Sequence, residues 1–259
     1  MRNLSPVIFE IGPFALRWYG LMYVAAVLAG VWLVKREAVR KGMPITPDEV
    51  MNFGLLVMFA GILGGRIYYV LFNWDFYRTA LWEVFAVWHG GLAIHGGLIG
   101  GVLAGYLYLR NHAVSTWEFA DAVAPAIMLG QVFGRFGNFM NGDAHGVPTS
   151  MPWGVEFPMT SIAGREFPGQ ATHPVMIYEL LLNLVWFFIL RRLRLTNHKP
   201  GFIFCLYFVL YSFGRAAVSG FRADSLWFGP LRAAYLASAV LILVFGAIIV
   251  RWRMWEREE

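Results

Sequence analysis

Arg66, His95, Arg135 and Arg215 each interrupt or border a long apolar run of this 259-residue chain. An ionisable side chain inside a bilayer is costly and by default marks a functional site. A guanidinium offers a planar fork of N–H donors that matches a phosphate. A neutral imidazole serves as a general base or a hydrogen-bond donor. Three guanidiniums and an imidazole gathered at one depth would form an anion pocket, and the abundant anion of a membrane is a phospholipid headgroup. Each group also has a plainer use. An arginine near a helix end snorkels to water, and a histidine can be a satisfied packing residue. Both readings stay open from these residues alone.

The neighbours of these four add detail. In Gly134-Arg135-Phe136-Gly137-Asn138-Phe139-Met140-Asn141-Gly142-Asp143, with Gly146 just beyond, Arg135 and Asn138 are three apart and share a helical face. The glycines permit tight turns and close approach of backbone to a ligand. Tyr211, Arg215, Ser219 and Arg222 form one polar stripe, and Asp224 follows closely enough to neutralise an arginine. His173-Pro174 opens another apolar run that carries Tyr178 and Glu179, and Glu179 is a pairing partner for an arginine. Gly97, Gly101 and Gly105, like Gly61 and Gly65, recur at the spacing that lets membrane helices approach closely. The single cysteine, Cys205, excludes an internal disulfide and a cysteine-based metal site, and reads as packing. No zinc-protease, nucleophile-elbow or phosphate-loop motif occurs, and neither metal nor cofactor is expected.

The elements that must carry these residues are membrane helices. Hydrophobic residues make up 58% of the chain and charged ones 14%, against about 25% charged in ordinary soluble domains. The expected fold class is an all-α polytopic membrane protein, one integral membrane domain over 1–259. Seven apolar runs, near 18–34, 51–73, 91–109, 120–139, 174–190, 201–220 and 232–250, each approach the ~20 residues a bilayer requires. The run at 120–139 is the most interrupted, by Pro125 and glycines. Lys35, Arg36, Arg40, Lys41, Arg110, Arg191, Arg192, Arg194, Lys199, Arg251, Arg253 and Arg257 fall in alternate connections, which places those on the cytoplasmic side. The net charge of +5 is explained by these clusters rather than by nucleic acid. The N-terminus is then outside, the C-terminus inside, and no cleavable signal peptide is expected. With this orientation Arg66, His95, Arg135, Glu179, Arg215 and the Arg17-Trp18-Tyr19 start of the first run all belong to the outer part of the membrane. The long connection 141–173 lies outside beside them, either as a binding segment or as a loose surface loop.

Taken together, these segments resemble the prolipoprotein diacylglyceryl transferase family. The matching pieces are Arg17-Trp18-Tyr19-Gly20-Leu21-Met22-Tyr23, Gly64-Gly65-Arg66, His95-Gly96-Gly97-Leu98, Asp121 to Pro125, Gly134 to Gly142, and His173-Pro174 with Tyr178-Glu179. The resemblance implies transfer of the diacylglyceryl group of phosphatidylglycerol to the lipobox cysteine thiol of a prolipoprotein signal peptide, in the bacterial inner membrane, forming a thioether and releasing glycerol phosphate. Carried over, it implies catalytic roles for Tyr19, His95, Arg135 and Arg215. It implies binding or supporting roles for Arg66, Asp121, Asn138, Asn141, Asp143, Gly146, Glu179, Tyr211 and Arg222. Arg135 and Arg215 would hold the phosphate, Asn138 would orient it, and His95 is the candidate base. Three positions depart from the family pattern: Asp143 stands where glutamate is usual, Ser219 where a glutamate follows the arginine, and Val175-Met176 where Ser-Gln is favoured. The loss at Ser219 should leave the pocket more cationic. A lipid transporter or anionic-lipid-binding protein is the competing class, but it would place its site near the midplane, often with internal repeats. A relative using phosphatidylglycerol with another acceptor is the third reading.

Overall fold

The computed structural model describes residues 4–12 and 14–256. Among the described residues the long helices are α1 Trp18–Lys41, α2 Pro47–Phe72, α3 Ile94–Arg110, α4 Thr116–Asn141, α5 Val175–Leu193, α6 Phe202–Ser219 and α7 Ala233–Arg251. Four of them, α1, α2, α6 and α7, are long and apolar enough to cross a membrane. The other three are shorter or more polar: α3 has 17 residues, α4 carries Glu118, Asp121, Gln131 and Arg135, and α5 carries Glu179, Arg191 and Arg192. The described residues are thus mostly helical, with four helices that have the length and composition of membrane spans.

Local chemistry sets the boundaries. Thr46 and Glu49 form a reciprocal capping box, with Pro47 at the first helical position, so α2 begins four residues before the apolar run does. Gly90 and Gly91 sit at φ +87° and +75°, a left-handed backbone that keeps them out of α3 and delays its start to Ile94. Helix α1 runs past its apolar stretch to Lys41, since Lys and Arg are good helix formers and Arg40 and Lys41 suit its C-terminal end. Asp121 caps α6 from a different helix. Its two carboxylate oxygens accept from the backbone N–H groups of Gly201 and Phe204, each at 2.8 Å.

The described residues fall into two compact units, one running to Leu33 and resuming at Ala120, the other Val34–Phe119. In the second unit α2 and α3 pack backbone on backbone. A Cβ on Gly64 would lie 2.4 Å from the Gly96 carbonyl oxygen, and one on Gly96 only 2.3 Å from that of Gly64. In the first unit α6 and α7 are joined by the stacked rings of Phe208 and Phe245, 4.2 Å apart.

Two features amend the all-α expectation. Among the described residues there are three small antiparallel strand pairs: β1 Val7–Ile11 with β2 Phe14–Arg17, β3 Val155–Glu156 with β4 Ala171–Thr172, and β5 Trp227–Phe228 with β6 Leu231–Arg232. The last turns on Gly229 at φ +59° followed by Pro230, a pairing suited to a two-residue hairpin. The connection 141–173 is also a built segment rather than a loose one. It holds β3, β4 and a short helix Ile162–Glu166 capped by Ser161. Phe157 and Ala163 are buried with Val175 and Met176 of α5 and Val218 of α6. Val175 and Met176, both fully buried, are therefore packing residues under this segment.

Candidate active site

The centre of the first unit is a carboxylate shared by three guanidiniums. Glu179, one turn into α5, is 5% exposed. Its Oε2 lies 2.5 Å from Arg135 Nε, while its Oε1 accepts from Arg215 at 2.6 Å and from Arg222 at 3.1 Å. Helix α4 supplies Arg135, α6 supplies Arg215, and the turn after α6 supplies Arg222. A buried carboxylate with three charge-assisted contacts fixes three long side chains that would otherwise be mobile.

Around this centre the sequence neighbours behave as a network. Arg135 NH1 donates to Asn138 Oδ1 at 3.2 Å, and Asn138 Nδ2 donates to Asp143 Oδ1 at 2.6 Å. Gly142, at φ +64°, turns the chain so that the Asp143 N–H returns to the Asn138 carbonyl oxygen at 3.2 Å. Asn141 is the last residue of α4. Gly146 pairs with Arg222 in an isolated bridge and donates its N–H to the His173 carbonyl oxygen at 3.1 Å. A Cβ there would sit 2.5 Å from that oxygen and 2.8 Å from the one of Phe221, so the close approach requires glycine. Tyr19, half exposed at the start of α1, lays its ring over Gly137, where a Cβ would meet it at 2.9 Å. Tyr211 lines a small cavity with Glu179, Asn183, Gly214 and Arg215.

The three arginines are not equivalent. Arg135 and Arg215 keep 22% and 24% side-chain exposure, whereas Arg222 has 5%. A guanidinium carries five N–H donors. Arg135 uses two and Arg215 one on partners among the described residues. Arg222 is gripped in addition by Asp224, through Nε at 2.9 Å and NH2 at 2.6 Å. Burial pulls its pKa down, but the hydrogen bonds and charges of Asp224 and Glu179 outweigh that, and the net direction is up. The expected excess of positive charge from Ser219 is therefore offset from five residues further on, where Asp224 supplies a carboxylate. Ser219 itself is fully buried, with its hydroxyl unpartnered among the described residues.

Arg66 and His95 belong to the second unit. Arg66 is 5% exposed, and all five of its donors meet backbone carbonyls: Val84 at 2.9 Å, Gly90 at 2.6 Å, Gly91 at 3.0 Å, Ala86 at 3.3 Å, and Glu83. It organises residues 83–91 and in this conformation has no donor left for a phosphate. A cavity of about 330 Å³ beside it is lined by Tyr69, Tyr77, Glu83 and His89. His95 is exposed on the first turn of α3, its ring 6.1 Å from that of Tyr68. Asp121, at the cap of α6, lies at the opposite end of that helix from Arg215 and acts on the fold.

One participant went unread in the sequence. Arg232, at the end of β6, donates to the carbonyl oxygens of Ser219 and Arg222, the latter at 3.0 Å, and to Ser225 Oγ at 2.9 Å. Its guanidinium carbon lies 5.1 Å from the centre of the Trp227 ring. Only the β5–β6 hairpin returns it to the α6 terminus, and no helical period signals that.

Comparison with known proteins agrees with the motifs. The family profile described as prolipoprotein diacylglyceryl transferase matches residues 6–252. A phosphatidylglycerol–prolipoprotein diacylglyceryl transferase of Geobacillus kaustophilus (strain HTA426) is 44% identical over 99% of this chain and 96% of that protein. Proteins of the same name from Bacillus cereus (strain G9842) and Bacillus anthracis are each 40% identical, again over 99% of this chain and 96% of theirs.

Proposed function

Since the chain belongs to the prolipoprotein diacylglyceryl transferase family, we propose that it transfers the diacylglyceryl group of phosphatidylglycerol to prolipoproteins, using the arginines around Glu179 as its phosphate site. The observation that carries this is the pairing of alignment with availability. Glu179 holds Arg135 and Arg215 on one carboxylate while both keep partial exposure and N–H donors unused among the described residues.

In this reading the phosphate of phosphatidylglycerol takes those donors. The thiol of the lipobox cysteine gives its proton to a base, and the thiolate is the nucleophile. It attacks the glyceryl carbon that carries the phosphate ester. The C–S bond forms as the C–O bond breaks, and the bonding pair leaves with the oxygen of glycerol phosphate. Charge grows on that leaving oxygen, so cations already fixed around it stabilise the transition state without reorganisation. Arg135 and Arg215 do this, with Asn138 orienting the Arg135 end. Tyr19 packs against the same turn of α4 as a substrate contact, and His95 is the proposed proton acceptor. Arg66 serves by shaping residues 83–91. The same reading places all seven long helices across the bacterial inner membrane, N-terminus outside, with residues 141–173 as an outer segment over the site.

The test is a mass-shift assay with purified protein, phosphatidylglycerol and a lipobox peptide, beside a Cys→Ser peptide. A diacylglyceryl mass gain on the cysteine peptide alone, with glycerol phosphate released, is expected. Lipid binding without transfer would overturn the reading in favour of another acceptor or of a lipid-binding protein.

A further inference from the structure

We propose that Asp224 is a positioning residue of this site: it holds the buried Arg222 guanidinium so that Glu179 stays shared between Arg135 and Arg215. The proposal rests on the reading of those two arginines as the phosphate ligands.

Three observations lead to it. First, Asp224 takes Nε and NH2 of Arg222, one complete edge of the fork, and leaves NH1 to meet Glu179 at 3.1 Å, the longest of the three guanidinium contacts on that carboxylate. Second, Arg222 and Arg215 compete for the same oxygen, Glu179 Oε1. With Asp224 neutralised, a guanidinium that is 5% exposed would have Glu179 as its one carboxylate among the described residues. An uncompensated buried charge is strongly unfavourable, so Arg222 would close on Glu179 and draw it away from Arg215. Third, the backbone at Arg222 is pinned independently. The bridge to Gly146, the Ala223 N–H to the His145 carbonyl oxygen at 3.2 Å, and Arg232 on the Ser219 and Arg222 carbonyls all hold it. Loss of the Asp224 charge therefore redirects a side chain and leaves the chain path in place.

The experiment compares Asp224→Asn, Asp224→Glu, Arg222→Gln and the double variant Arg222→Gln/Asp224→Asn in the full-length protein, with phosphatidylglycerol in mixed micelles and a lipobox peptide. Asp224→Asn is expected to lower kcat about tenfold, equivalent to about 1.4 kcal/mol, with KM for phosphatidylglycerol changed less than threefold. Asp224→Glu should recover most of that loss. In the Arg222→Gln background the Asp224 change should add nothing, and this double variant leaves no unpaired buried charge, so its folding is retained. Asp75→Asn, which removes the same charge from the exposed Asp75–Arg78 pair, should match the parent. A parental kcat in Asp224→Asn, or losses that multiply in the double variant, would overturn the proposal. Retained turnover in Arg135→Gln would instead sink the phosphate reading, whichever way Asp224→Asn falls.

Discussion

Glu179→Gln is the most informative single change, because it keeps shape and removes only charge. The amide can present its oxygen to one side. If the oxygen stays with Arg215 and Arg222, the NH2 group faces Arg135 Nε, now 2.5 Å from a carboxylate oxygen. Two donors then confront each other, and Arg135 must turn away. If the amide flips, Arg215 and Arg222 are both lost, so the first arrangement is favoured. The change forfeits one hydrogen bond to a charged group, about 1.5–3 kcal/mol. If that loss falls on the alignment of Arg135 in the transition state, turnover drops by roughly 10- to 150-fold. Arg222 keeps Asp224, Arg215 keeps the amide oxygen, and Arg135 keeps Asn138, so the fold should survive. Initial rates from the mass-shift assay, at saturating and limiting phosphatidylglycerol, read this out beside a thermal melt in detergent. Turnover within threefold of the parent, in a preparation where Arg135→Gln is impaired, would refute the view that this carboxylate organises the site.

Other expectations follow from the same geometry. His95→Gln should lower kcat with little change in KM, and the remaining rate should climb with pH toward the ~8.5 pKa of a cysteine thiol as the peptide ionises unaided; a flat pH profile would remove His95 from the role of base. Arg66→Lys keeps the charge but cannot reach five carbonyls at once, so residues 83–91 should become sensitive to limited proteolysis, and an unchanged digestion pattern would count against the organising role. Gly96→Ala would force a methyl to within 2.3 Å of the Gly64 carbonyl oxygen, and overpacking of this kind costs typically 1–3 kcal/mol; a melting temperature equal to the parent would show that the α2–α3 contact is looser than described.

Much of the candidate site was legible because its residues stand out against apolar helices. A guanidinium in a hydrophobic run is conspicuous, and Arg135, Asn138, Arg215 and Arg222 follow helical spacing that anyone can count. The long helices were legible for the same reason, every end but that of α1 to within four residues. The misplaced ends trace to chemistry that an apolar window ignores: the capping box at Thr46, the left-handed Gly90 and Gly91, and the basic but helix-forming tail of α1. The strand pairs and the packed 141–173 segment escaped because strands of two to five residues carry no usable period.

What the sequence determined by itself was composition and pattern: apolar helices, the family motifs, and the cations that those helices must carry. Which partners each cation meets was decided only in three dimensions. Arg66 and Arg135 look alike in sequence, each following a glycine late in an apolar run, yet one is saturated by five carbonyls and the other keeps donors open. Asp121 and Asp224 are both isolated acids, yet one caps a helix and the other clamps a buried arginine. The physical reason is that a donor's availability depends on what surrounds it after folding. Partners such as Glu179 and Arg215, 36 residues apart, are brought together by tertiary packing that no local spacing encodes.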